Sequence, residues 1–223
     1  MKFNNTHKCS NVKCGISVFS HDTCVYAKFL SLYSLTVEFN DPYNVGTPFL
    51  YLQRYEMTGP QIEPSAVLEQ LHKNDVTHVV WLPDSETSFM YREMMNDPNL
   101  ELVQVAREGE SIAVALGLWI GGKKPVVLIQ NTGLFESGDS LRALALDMNI
   151  PMVLMIGYRG WTRHGITKDS AARFTEPILN AWGIEYYLVE SEQDVDRISI
   201  CFDQVDKTNR PVACLFGAEW SPG

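Results

Sequence analysis

From residue 57 onward, short apolar runs alternate with longer amphipathic stretches. The runs lie at 76–82, 100–105, 125–130, 151–156, 185–189 and 211–216 and are rich in β-branched residues. A strand with one wet face alternates apolar and polar positions, whereas segments such as VVLIQ and PMVLMIG are apolar almost without a break, as in strands covered on both faces. Helical candidates fill the gaps at 64–74, 86–96, 108–121, 138–148, 174–182 and 192–207. Strands separated by helices are joined by crossovers rather than hairpins. The pattern therefore predicts an α/β fold: a three-layer, open, mostly parallel six-stranded sheet with helices on both faces. Gly121-Gly122 and Gly183 stand where two of these helices need a left-handed cap.

Residues 1–56 follow neither period, and turn-formers such as Asn5, Asn11, Asn40 and Pro42 are scattered through them. They hold five basic and four acidic residues of the chain's 18 and 27, so the remainder has 13 basic and 23 acidic residues and carries all of the acidity behind the net charge of −9. The chain thus divides into an irregular N-terminal extension, 1–56, and one domain, 57–223. The change of character predicts that the native protein begins at Met57, or else that 1–56 form a poorly ordered arm.

Hydrophobic residues at 45% and charged residues at 20% suit a globular protein with an ordinary core. The acidic balance argues against nucleic-acid binding, which needs a basic face. No run of 18 apolar residues occurs, so no membrane span is expected. Cys9, Cys14, Cys24, Cys201 and Cys214 form no CxxC pair. A zinc site built from the first three with His7 or His21 has the wrong spacing, so no metal ligand is expected in this chain. Cys201 and Cys214 read as small buried hydrophobes, and a reducing cytoplasm is the simplest compartment.

Ligands of open α/β sheets bind beyond the carboxyl ends of the strands, so the loops there carry the chemistry. The first, Pro83-Asp84-Ser85-Glu86, lacks GxGxxG, and neither GxxxxGK[ST] nor GxSxG occurs in the chain. Asp84 and Ser85 are site candidates, or else caps of the helix that starts near Glu86. The second, Ala106-Arg107-Glu108-Gly109-Glu110-Ser111, places Glu108 where a strand gives way to a helix. A carboxylate is stabilised there by the helix dipole, so Glu108 alone also reads as an ordinary helix-start acid. Glu110, two positions on, points about 200° away, so only one of the two faces the crevice. The third, Gln130-Asn131-Thr132-Gly133-Leu134, reads as an amide-rich polar loop facing the same crevice. Arg159, Arg163, His164 and Lys168 follow the fourth strand. They form either a clamp for a carboxylate, sulfonate or phosphonate, or a solvated basic loop.

The combination is more specific than its parts. Glu108 is followed nine residues on by Gly117, then by Gly122-Lys123-Lys124-Pro125-Val126, by Gln130-Asn131-Thr132-Gly133-Leu134, by Tyr158-Arg159-Gly160 and by Glu176-Pro177-Ile178-Leu179-Asn180-Ala181-Trp182-Gly183-Ile184. From about residue 64 to 217 the chain resembles the pyrimidine-binding domain of thiamine-diphosphate decarboxylases, above all sulfopyruvate decarboxylase alpha subunits and phosphonopyruvate decarboxylase. The resemblance implies a decarboxylase subunit acting on a 3-substituted pyruvate. It implies that Glu108 is buried and hydrogen-bonds N1′ of the aminopyrimidine, favouring the imino tautomer that takes the thiazolium proton. It further implies cofactor contacts from Pro83, Ser85, Asn131, Thr132 and Gly133, proton transfer by Asp84, and substrate contacts from Asn131, Arg159, Arg163 and His164. The diphosphate and its Mg²⁺ belong, in that family, to a second domain bearing GDG and a later Asn. No GDG occurs here, so the resemblance implies a separate beta-type partner, an obligate hetero-oligomer, and a chain inactive alone. A different thiamine-diphosphate carboligase or lyase, and a non-catalytic orphan domain, are the other readings. One departure stands out: the family follows its QNSGL loop with Gly-Asn, whereas this chain has Phe135-Glu136-Ser137-Gly138-Asp139. Glu136 and Asp139 are thereby expected to add negative charge near the site.

Overall fold

All six expected strands form, and every pairing between them is parallel. The computed structural model describes residues 62–162 and 167–217. Residues 1–56, the expected start at Met57 and the N-terminal cysteines lie outside the described residues. The elements run α1 (Pro64–Lys73), β1 (His78–Trp81), a 3₁₀ turn (Ser88–Met90), α2 (Tyr91–Asn96), β2 (Glu101–Gln104), α3 (Glu108–Ile120) and β3 (Pro125–Gln130). They continue with α4 (Asn131–Glu136), α5 (Gly138–Ser140), a π-helical segment (Leu141–Leu146), β4 (Val153–Gly157), α6 (Ser170–Trp182), β5 (Glu185–Val189), a 3₁₀ turn (Glu192–Asp194), α7 (Arg197–Thr208) and β6 (Val212–Phe216).

The strand order is β2-β1-β3-β4-β6-β5. Parallel crossovers are right-handed, so a reversal of direction along the sheet moves the connecting helix to the opposite face. The steps β1 to β2 and β5 to β6 run one way, and α2 and α7 pack with α1 over one face. The steps from β2 through β5 run the other way, and α3, α4, the π segment and α6 cover the second face. Alternate strand residues serve the two cores: Val79, Trp81, Val126 and Leu128 one, Val80, Val127 and Ile129 the other. The four inner strands are buried almost throughout, as their unbroken apolar runs require, while β2 and β5 are half-exposed edges.

Helix ends follow local chemistry. α3 closes with Lys123 N–H on Leu118 O and Gly122 N–H on Trp119 O, each at 2.9 Å, with Gly122 at φ +76°. Gly183, at φ +65°, ends α6 in the same way. Three expectations need correction. The 130–134 loop is a helix, because α4 starts directly at the end of β3. The helix expected over 138–148 is split, its second half π-helical, with Asp147 N–H reaching Arg142 O at 2.9 Å. α6 starts at Ser170 rather than 174, because the Asp169 carboxylate accepts from Ala171 N–H at 2.9 Å and supplies the N-cap.

Candidate active site

The chain reverses direction at β1, so the loops after β1 and β3 leave toward opposite faces and open a crevice between them. The start of α3 joins them there, because α3 crosses over β1 and β3 on its way between β2 and β3. Three expected residues meet at this point. Glu108 opens α3, and its side chain lies over Gly133 of α4 so closely that a Cβ on Gly133 would stand 2.4 Å from Glu108 Cγ. Asp84, after β1, is near enough for the charge of Glu108 to disfavour its ionisation. Glu108 is half-buried in this chain rather than buried, and among the described residues no donor reaches its carboxylate. Glu110 instead turns back, accepting from Ala106 N–H at 3.2 Å.

The Asp84 carboxylate is enclosed. One oxygen accepts from the N–H groups of Glu86 (2.7 Å) and Thr87 (2.8 Å), the other from the Thr87 hydroxyl at 2.8 Å. The Thr87 oxygen in turn accepts from Trp81 Nε1 at 2.8 Å. Asp84 therefore caps the turn after β1, yet its pKa is raised above the ordinary 3.8. Burial is the main cause, opposed by the Thr87 and Glu86 hydrogen bonds and reinforced by Glu108. Glu86 is raised too, by burial and then by Asp84. A carboxyl that ionises less readily in the fold stabilises it below the unfolded-state pKa, and that stabilisation is lost as pH rises through the folded-state pKa. Asp84→Asn is thus expected to flatten the fall in melting temperature that sets in as pH rises above the ordinary carboxyl range of about 4. Equal slopes for the variant and the wild type would contradict the shift.

Pro83 and Ser85 flank Asp84 and are exposed, while Thr132 is half-buried beside Gly133. Asn131 is fully buried, and its amide hydrogens go to Arg159 O and Thr175 Oγ1, both at 3.0 Å. The Thr175 hydroxyl donates to Ala171 O at 2.8 Å, so both neighbours of the Asn131 nitrogen are acceptors and the amide orientation is fixed. The Asn131 Oδ1, buried and without a partner among the described residues, remains for a ligand. Arg159 is exposed and pairs with Asp169 at 3.2 Å, and Glu86 also faces its charge. Arg163 and His164 lie outside the described residues.

The expected surplus charge from Phe135-Glu136 and Asp139 is already countered within the chain. Glu136 pairs with Arg107 and accepts from Gly109 N–H, and these contacts hold its carboxyl below the usual range. Asp139 pairs with Arg142 at 2.8 Å. Sequence reading assigns Arg107 no role and Glu136 only that of surplus charge; their pairing is not anticipated. The available signal was an N-cap position filled by arginine, which cannot cap and so requires an acceptor from elsewhere.

No family model matches the chain. It is 24% identical over 155 residues to sulfopyruvate decarboxylase subunit alpha of Methanocaldococcus jannaschii, covering 69% of this chain and 92% of that subunit. It is 32% identical over 161 residues to phosphonopyruvate decarboxylase of Streptomyces hygroscopicus, covering 69% of this chain and 39% of that enzyme. The chain is a homologue of the sulfopyruvate and phosphonopyruvate decarboxylases. Among solved structures, it matches a protein of Mycobacterium smegmatis described as a thiamin diphosphate-dependent enzyme, with a TM-score of 0.56 and 19% identity. That match covers 70% of this chain and 30% of the other. The fold is therefore the one found in thiamine-diphosphate-dependent enzymes. The homologue spans nearly all of the alpha subunit but only about a third of the longer enzymes.

Proposed function

We propose that this chain is the alpha-type subunit of a thiamine-diphosphate-dependent 2-oxo-acid decarboxylase acting on a 3-substituted pyruvate such as sulfopyruvate or phosphonopyruvate. The observation that carries the reading is Glu108. It is a carboxylate that no donor among the described residues reaches, held over a glycine at the switch point of the sheet. The donor set suits an aminopyrimidine. Glu108 would accept the ring-nitrogen proton, the orphaned Asn131 Oδ1 would accept an amino hydrogen, and Pro83, Ser85, Thr132 and Gly133 would line the ring. When bound, the cofactor supplies the electron sink for loss of carbon dioxide. Glu108 holds and returns a proton at the pyrimidine, and Asp84, whose raised pKa favours the protonated form, serves proton transfer beside it. Arg159, with Arg163 and His164, would bind the anionic substrate.

Diphosphate and Mg²⁺ binding fall in this proposal to a beta-type partner bearing GDG and a downstream Asn. Among the described residues no cluster of His, Cys, Asp or Glu suits a metal. Trp119 and Ile120, exposed at 40% and 68%, together with exposed Ala113 and Gly117, give α3 an apolar outer face that such a partner would cover. No helix among the described residues is long and apolar enough to cross a membrane. A cytoplasmic hetero-oligomer that binds neither nucleic acid nor membrane is proposed.

The test is native recovery of the tagged full chain with sequencing of co-purifying chains, followed by carbon dioxide release assays with thiamine diphosphate and Mg²⁺. A GDG-bearing partner and release from sulfopyruvate or phosphonopyruvate are expected. A complete complex that neither binds the cofactor nor releases carbon dioxide from either acid would remove the proposal.

A further inference from the structure

α3 begins without a cap of its own. Its N-cap residue, Arg107, is extended (φ −142°, ψ 144°), and a guanidinium has no acceptor to offer the first helical amides. The acceptor comes from α4 instead. One oxygen of Glu136 accepts from Gly109 N–H at 2.6 Å, and the other is gripped by Arg107 through Nε, at 3.1 Å, and Nη2. A single carboxylate therefore holds the residue before Glu108 and the residue after it. The absence of a side chain at Gly109 makes room, since a Cβ there would stand 3.3 Å from both Glu136 Oε2 and Ser140 Oγ. Three residues earlier on α4, Gly133 supports the Glu108 side chain. α4 thus touches Glu108 twice, at the flanking backbone through Glu136 and at the side chain through Gly133.

We infer that Glu136 is a positioning residue: it brackets Arg107 and Gly109 so that the Glu108 carboxylate is presented to the crevice in one orientation. For its effect on turnover the inference rests on the proposed role of Glu108, whereas the bracket itself belongs to this chain alone. The ion pair is exposed, so its value lies in geometry rather than in stability. An amide at position 136 would keep an acceptor for Gly109 N–H and lose the charge that faces Arg107.

The experiment compares wild type, Glu136→Ala and Glu136→Gln in the assembled complex, reading Gly109 amide exchange, cofactor affinity and the kcat–KM split. Glu136→Ala is expected to speed Gly109 exchange roughly five- to tenfold, as for loss of one helix cap. It is also expected to lower kcat at least about tenfold at nearly unchanged KM. Glu136→Gln should restore the exchange and most of kcat. Unchanged Gly109 exchange in Glu136→Ala overturns the bracket, and undiminished kcat despite faster exchange overturns the positioning role. A merely structural defect would lower kcat equally in both variants with no rescue by glutamine, and would also count against the inference. If the wild-type complex neither binds cofactor nor turns over, the decarboxylase proposal fails and Gly109 exchange alone decides the bracket.

Discussion

Glu108→Gln in the assembled complex is expected to lower turnover by about 10²- to 10⁴-fold, the usual weight of a positioned acid–base group. Folding should be untouched. The carboxylate is half-buried and receives no hydrogen bond from the described residues, so the amide leaves no partner stranded. The other carboxylates nearby cannot substitute. Glu110 is turned to Ala106, Glu136 is committed to Arg107 and Gly109, and Asp84 is committed to Glu86 and Thr87. Turnover assays beside a melting curve make the check. A folded Glu108→Gln or Glu108→Ala complex with wild-type kcat would remove the assignment of the cofactor carboxylate.

Gly133→Ala should come close to the same effect without touching a reactive group. The added Cβ would stand 2.4 Å from Glu108 Cγ, 2.9 Å from Oε1 and 3.0 Å from Cδ, closer than such contacts allow. Gly133 has no positive φ, so its backbone accepts alanine, and the yielding part is the Glu108 side chain. The expected result is a loss of kcat of about 10²-fold, the scale of a displaced catalytic group, with stability lowered by only about 1 kcal/mol. A double variant separates the causes. If Gly133 acts through Glu108, Gly133→Ala in the Glu108→Gln background costs little further turnover. Full additivity of the two losses would mean that Gly133 matters for another reason.

The strands were legible because burial on both faces leaves nothing else for runs such as VVLIQ to be, and β3 and β5 match their expected limits. Helical periodicity lets only one of Glu108 and Glu110 face the crevice, and the family resemblance selects Glu108. What sequence reading missed was carried by tertiary contacts. Asn131 looked like a loop amide, but its bonds to Arg159 and Thr175 anchor it as the first residue of a helix. The helix expected over 174–182 begins earlier, because α6 runs through Pro177 from an Asp169 cap eight residues before it. Glu136 was read as unpaired charge because its partner, Arg107, is 29 positions away in the chain. Pattern reports the period of a segment and is silent on a side-chain partner supplied by another element.

The strand order also bears on how the protein is made. Among the described residues β5 pairs only with β6, and β6 stands between β4 and β5. As the chain emerges from the ribosome, β1, β2, β3 and β4 can join in a growing sheet, but β5 then has no neighbour and one backbone edge of β4 stays open. Among the described residues it is Val212–Phe216, the sixth strand in chain order, that fills that gap. A product terminated before Val212 would therefore lose an interior strand rather than an edge, and would expose just the kind of unpaired, apolar backbone that aggregates.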